Sequence, residues 1–254
     1  GSIDEKVRHA VTKLADVHLV SSTPAAERVI RMGEVPETVH VTGCPSIDLA
    51  IEMLASPDLD FEPVERYGGV GAPLDLSQGY VVVMQHPVTT EYNMARRQVV
   101  ETLYAVHDTK IPTLWFWPNV DAGSDETSGG IRTFREHERT NHIRFFKNMA
   151  PHDFLKVLYN SRCLVGNSSV GIRECSFLGV PVVNIGTRQS GRDRGKNVID
   201  VGHDRGEIGA AMTRHLSNGG RYPSDPLYGT GLAGERIAAC LSTARLTSAK
   251  RLTY

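Results

Sequence analysis

The stretch GNSSVGIRE, residues 166–174, sets a glycine, an asparagine and two serines directly before a helical pattern, with a carboxylate five residues beyond the second serine. Free backbone N–H groups at a helix start, flanked by two hydroxyls, converge on one point and suit a phosphate. Ordinary capping accounts for one of Ser168 and Ser169, whereas two serines and a glycine exceed what a cap needs. Glu174 lies too deep for a capping box, which asks for an acid three residues after the cap. Its carboxylate can accept from two vicinal ribose hydroxyls, or it pairs with Arg173 or Arg188 in solvent. The next loop, GTRQSGRDRG (186–195), offers Arg188, Arg192 and Arg194 among glycines. Such a loop gives planar, multi-donor recognition of an anion, or it is simply a solvated charged loop.

Two further loops carry chemistry. In QHPVTTE (85–91), His86 precedes a proline and is held out of helical geometry. It is either an acid or base near neutral pH or a turn histidine bonded to a nearby carbonyl. In PNVDAGS (118–124), Asn119 and Asp121 make side-chain turns and cap a helix, or they face a pocket. No Walker loop or GxGxxG fingerprint is present, so the pattern asks for a nucleotide or sugar phosphate without naming it.

These loops need elements to aim them. Short β-branched or aromatic runs recur at 17–20, 39–42, 80–84, 113–117, 143–146, 163–165, 182–185 and 198–201. Helical patterns separate them at 24–32, 47–54, 92–107, 127–138, 151–159, 169–178 and 205–216. The alternation predicts an α/β fold with a Rossmann-like, doubly wound parallel sheet, whose ligands collect where strands end and helices begin. Residues 56–79 lack periodicity and read as a loop. We expect four parts: a remnant of an amino-terminal Rossmann-like domain (1–43), a linking helix and loop (44–79), a nucleotide-binding domain (80–228) and a carboxy-terminal helix and tail (229–254). The first part holds two strand signals, too few to cover its own faces, which implies a domain whose beginning is absent.

The chain of 254 residues is 40% hydrophobic and 22% charged, ample for a core without staples. A formal net charge of -1 argues against a nucleic-acid partner. The four cysteines (Cys44, Cys163, Cys175, Cys240) form no ligand spacing, so no metal is expected and reduced thiols in a cytoplasmic setting fit. No apolar run approaches the ~20 residues of a membrane helix, so no membrane partner is expected either.

Together HPVTTE (86–91), PNVDAGS (118–124), GNSSVGIRE (166–174), PVVNIGTRQSGR (181–192) and VTGCPSID (41–48) resemble the hydrolysing UDP-N-acetylglucosamine 2-epimerases, which supply N-acetylmannosamine for sialic acid synthesis. The likeness runs over nearly the whole chain. SSVGIRE stands where the non-hydrolysing branch carries an SGG-type sequence. The resemblance implies two Rossmann-like domains facing across a cleft, as in GT-B enzymes, of which this chain is the UDP-holding second half plus the tail of the first. It implies that Ser168 and Ser169 bind the diphosphate, Glu174 the ribose, Arg188 the phosphate or sugar side and Met149 the uracil through its backbone. Asn119 and His86 would face the sugar, with His86 a catalytic participant. No cofactor is implied, and a homo-oligomer is implied for the full-length protein.

The implied reaction removes the proton at C2, expels UDP from C1 and adds water to the unsaturated intermediate with inversion at C2. The family's acidic residues lie mostly in its first domain. Of these, only Asp4, in IDEKVRHAVTKL, has a match here. Gly1-Ser2 is either a cloning remnant or family sequence. The expectation is a chain that binds UDP-N-acetylglucosamine or UDP but does not turn over alone. Two alternatives stand beside it: a hydrolysing 2-epimerase of UDP-diacetylbacillosamine, and a non-catalytic UDP-sugar-binding module.

Overall fold

The computed structural model describes residues 3–245 and 250, with the side chains of residues 3 and 4 outside the described part. Helix α1 (Ile3–Leu14), strand β1 (His18–Val20), helix α2 (Thr23–Arg31) and strand β2 (Val39–Val41) open the chain. β1 and β2 pair in parallel, His18 opposite Val39, as a two-stranded sheet. Ser22 caps α2 by accepting from Ala25 N, and Pro24 fills a first-turn position where its missing N–H costs nothing. α3 (Pro45–Leu54) and the short α4 (Pro63–Tyr67) lead to the main sheet.

That sheet alternates β3 (Val81–Met84), α5 (Ala95–Thr109), β4 (Thr113–Phe116), α6 (Ser124–His137), β5 (Ile143–Phe146), α7 (Pro151–Tyr159), β6 (Cys163–Gly166), the short helices α8 (Ser169–Ile172) and α9 (Glu174–Leu178), β7 (Val182–Ile185), β8 (Val198–Val201) and α10 (Arg205–Ser217). α11 (Ala233–Thr243) follows. The six strands are parallel in the order β5-β4-β3-β6-β7-β8, which is the doubly wound arrangement. Val81, Val83, Trp115, Phe145 and Val165 point to one face, under Leu103, Ile131 and Met212 of α5, α6 and α10. Val82, Leu114, Phe146 and Leu164 point to the other, under Met53, Leu158 and Leu178 of α3, α7 and α9. Central strands covered on both faces read as near-continuous apolar runs, while Arg144 in β5, Asn184 in β7 and Asp200 in β8 interrupt theirs towards the sheet edges.

The eight strands lie where the periodicity sets them. Three segments differ from the sequence pattern. The helix expected over 169–178 breaks at Arg173, whose ψ of -72 ends α8 and restarts the chain as α9. The helix expected from 92 begins at Ala95, after a 3-10 turn over Thr89–Met94. The stretch read as a loop over 56–79 contains α4 and is otherwise irregular yet anchored: Val70 bridges Phe145 on the edge strand β5, and the Arg144 guanidinium donates to the carbonyls of Gly68, Gly69, Gly71 and Ala72. The loop therefore covers an edge that would otherwise present free N–H and C=O groups. Among the described residues no helix is long and apolar enough to cross a membrane.

Candidate functional site

Strand order reverses between β3 and β6, so the loops after them run to opposite sides and leave a crevice at their carboxyl ends. Gly166 closes the base of that crevice. At its φ of +136 an added Cβ would stand 2.2 Å from the Met84 carbonyl oxygen, so only glycine lets the two strands part here. A cleft of about 300 Å³ opens above, lined by His86, Trp117, Asn119, Met149, Phe154 and Glu174 among others. Four of the residues singled out in the sequence therefore share one cavity.

His86 is buried, and the backbone N–H of Asn119 donates to its Nδ1 at 3.2 Å. With Nδ1 accepting, the neutral ring carries its proton on Nε2. Burial, with the nearby Arg188 charge, pushes the imidazole down to about 4, so the ring is neutral at pH 7. A neutral ring with this tautomer is a hydrogen-bond donor at Nε2, not a base there. The Asn119 and Asp121 side chains do not cap α6, whose cap is Gly123 without a side-chain bond. Asp121 instead lies 3.6 Å from the Arg188 guanidinium.

Glu174 is buried, so its ion pair is made with Arg173 at the cleft wall rather than out in solvent. Its Oε1 lies 3.5 Å from Arg173 Nη2, while Oε2 is buried and meets no hydrogen-bond geometry among the described residues, with Ser46 beside the carboxyl. Burial raises its pKa, opposed by the Arg173 charge. A desolvated carboxylate oxygen at a cleft wall is an acceptor waiting for donors. Met149 donates its N–H to the Asn148 side chain at 2.9 Å, which leaves its carbonyl, not its N–H, for a base.

The serines lie beside this cleft rather than in its lining. Ser168 caps α8, accepting from Val170 N at 3.4 Å, and Ser169 Oγ receives a bond from Arg173 at 3.3 Å. Arg188 donates to the Asn167 carbonyl at 3.3 Å and borders a second cavity of about 440 Å³ with Arg8, Arg28 and Arg192. Arg28 also grips Asp193 through three bonds of 3.0, 3.1 and 3.1 Å, which ties α2 to the arginine loop. Arg192 is half-buried, and its pKa is lowered by burial and by the neighbouring cations Arg8 and Arg173. Glu5 lines the same cavity and pairs with Arg8 at 2.8 Å, while Arg28 and Arg188 face Asp193 and Asp121, so the guanidinium groups present donors to an anion from a partly neutralised surface. Asp4 lies in α1, but its side chain is outside the described residues.

The sequence reading missed Asn167, Arg8, Arg28 and the apolar wall of Trp117 and Phe154. Asn167 carried a signal, as the central residue of GNSS. Arg8 and Arg28 sit in helices far from the loops in sequence and carried none. No group of three or more His, Cys, Asp or Glu among the described residues could hold a metal ion.

A family model described as UDP-N-acetylglucosamine 2-epimerase matches residues 1–242. The UDP-N,N'-diacetylbacillosamine 2-epimerase (hydrolyzing) of Legionella pneumophila is 32% identical over 248 residues, covering 98% of this chain and 63% of that protein. The UDP-N-acetylglucosamine 2-epimerase of Neisseria meningitidis serogroup B is 30% identical over 231 residues, covering 91% of this chain and 58% of that protein. The chain thus spans less than two thirds of these relatives. In fold it is similar to the Methanocaldococcus jannaschii UDP-GlcNAc 2-epimerase solved with UDP-GlcNAc and UDP, with a TM-score of 0.68 at 14% identity over 91% of this chain and 62% of that one. With a match over almost its whole length, the chain belongs to the UDP-N-acetylglucosamine 2-epimerase family.

Proposed function

We propose that this chain is the UDP-holding half of a hydrolysing 2-epimerase acting on UDP-N-acetylglucosamine, yielding N-acetylmannosamine and UDP. The observation that carries this reading is the cleft at the strand switch, where the buried Glu174 carboxyl, a neutral imidazole donor and an apolar wall meet. Glu174 would accept from the ribose hydroxyls, and the Met149 carbonyl would meet the base. Ser168, Ser169 and Arg188 would hold the diphosphate.

Elimination places negative charge on the departing UDP, and donors positioned for that charge lower the barrier most. Arg188, the arginines around it and the Nε2–H of His86 can serve in this way, with Asn119 orienting the sugar. The protons at C2 and on the attacking water fall to carboxylates such as Asp4. The residues of this chain are assigned the binding of UDP, and turnover is a matter for the full-length protein. Calorimetry with UDP on the chain tests the binding claim. Absence of binding, or undiminished affinity in both Glu174→Ala and Arg188→Ala, removes it.

A second reading, action on UDP-diacetylbacillosamine, is favoured by the 32% identity to the Legionella pneumophila relative. Sugar and UDP release from both donors by the full-length enzyme separates the two. A non-catalytic UDP-sugar-binding module would release neither.

A further inference from the structure

Asn167 is wholly buried at the crevice floor, and its main-chain and side-chain polar groups are all engaged. Its N–H donates to the Met84 carbonyl at 3.0 Å. Its Oδ1 accepts from the His86 N–H at 2.8 Å, and its Nδ2 donates to the His86 carbonyl at 2.8 Å. Its own carbonyl accepts from Gln189 Nε2 at 2.8 Å and from Arg188 Nη1 at 3.3 Å. The paired strands end at Met84 opposite Gly166, so the Asn167 side chain acts as one extra peptide rung across strands that are separating. The side-chain amide has a fixed orientation, since a backbone N–H can only donate and a carbonyl can only accept.

We propose that Asn167 is the positioning residue of this site, locking the His86 loop with its side chain and the Arg188 loop with its carbonyl. The assignment rests on the UDP-binding reading for its ligand effects and is independent of it for its effect on His86. Aspartate lacks the donor, serine cannot span both groups, and glutamine is one methylene too long. Holding the His86 backbone keeps Nδ1 over the Asn119 N–H, which fixes the ring tautomer. The buried, low-dielectric setting makes each of these bonds costly to leave unmade.

The test compares the whole chain with Asn167→Ala and the isosteric Asn167→Asp. Long-range 15N–1H spectra of the histidines in the free protein report the His86 tautomer. His215, bonded to the Val182 carbonyl at 3.1 Å, reports the fold at a distance. In the variants we expect mixed His86 tautomers with unchanged His215 signals, and a UDP Kd raised about tenfold. On acidification the introduced carboxyl of Asn167→Asp gains a proton and with it a donor, so the ratio of that variant's Kd to the wild-type Kd falls. A folded variant with the native His86 tautomer and UDP affinity within about twofold of wild type overturns the proposal. If alanine prevents folding, the aspartate variant decides. If the wild-type chain binds no UDP, the functional reading fails while the His86 spectra still decide the role of Asn167.

Discussion

At the scale of single residues, the site combines two ionisable groups displaced in opposite senses. Burial raises Glu174, so folding binds its proton more tightly than the unfolded chain does. Between the ordinary value of 4.5 and the raised one, stability therefore falls as pH rises, and the penalty stays in force above that window. Glu174→Gln should hold or raise the thermal midpoint at pH 7 while weakening UDP binding about tenfold. A variant both less stable and equally tight would contradict the role given to this carboxylate. His86 titrates in the other direction. Below the ordinary 6.5 the unfolded chain takes up a proton that the folded ring refuses until about 4, so stability is lost as pH falls through that window. NMR titration should find His86 neutral at pH 5.5, and a midpoint near 6.5 would mean that the ring is solvated. Sequence made these two residues visible because each follows a strand in an uncommon local pattern. Their environments were not legible, since the desolvation comes from tertiary burial and the His86 tautomer from the Asn119 N–H on another loop.

Elements hold these groups through a few contacts that spacing does not announce. The doubly wound sheet was legible because strands buried on both faces leave unbroken apolar runs such as VVV at 81–83 and VV at 182–183. The loop over 56–79 was not, because its order depends on side chains distant in sequence: Arg144 of β5 reaches four carbonyls, while Asp153 and Lys156 of α7 bind Arg66, Tyr67 and Asp60. Arg144→Ala should leave those carbonyls seeking water, costing about 1–3 kcal/mol locally. Limited proteolysis should then cut within residues 60–75 while the six-stranded sheet stays protected. Resistance equal to wild type would show that the Val70 bridge to Phe145 and the bonds of Arg66, Tyr67 and Asp60 to α7 suffice without Arg144. Glycine at 166 is a second such contact. Gly166→Ala sets a methyl group against the Met84 carbonyl in a backbone region closed to alanine, and soluble yield or the unfolding midpoint should drop sharply.

Across the whole molecule, the distant Lys250 is joined to the amino-terminal part of the chain through the acid Glu34 and through the carbonyls of Thr12 and Ala15. Glu34 is buried, with Lys13 at 2.9 Å, His18 at 3.0 Å and Lys250 at 2.7 Å. Burial alone would raise its pKa, but the bonds from Lys250, Lys13 and His18 outweigh it and hold the carboxyl at about 2. A depressed carboxylate contributes stability that is complete above its unfolded value of 4.5 and is lost as pH falls towards 2. Glu34→Gln removes the anion and leaves the cations facing an amide, which should cost about 3 kcal/mol at pH 7. Because the main sheet has its own core, the loss should be local. Hydrogen exchange at the paired residues Leu19 and His40 should accelerate while Val83 and Val165 keep their protection. The gap between variant and wild type should close as pH is lowered from 4.5 to 2, since protonation then removes the same charge from both. A gap that stays constant over that range would show that packing around residue 34, not its charge, joins these parts of the chain.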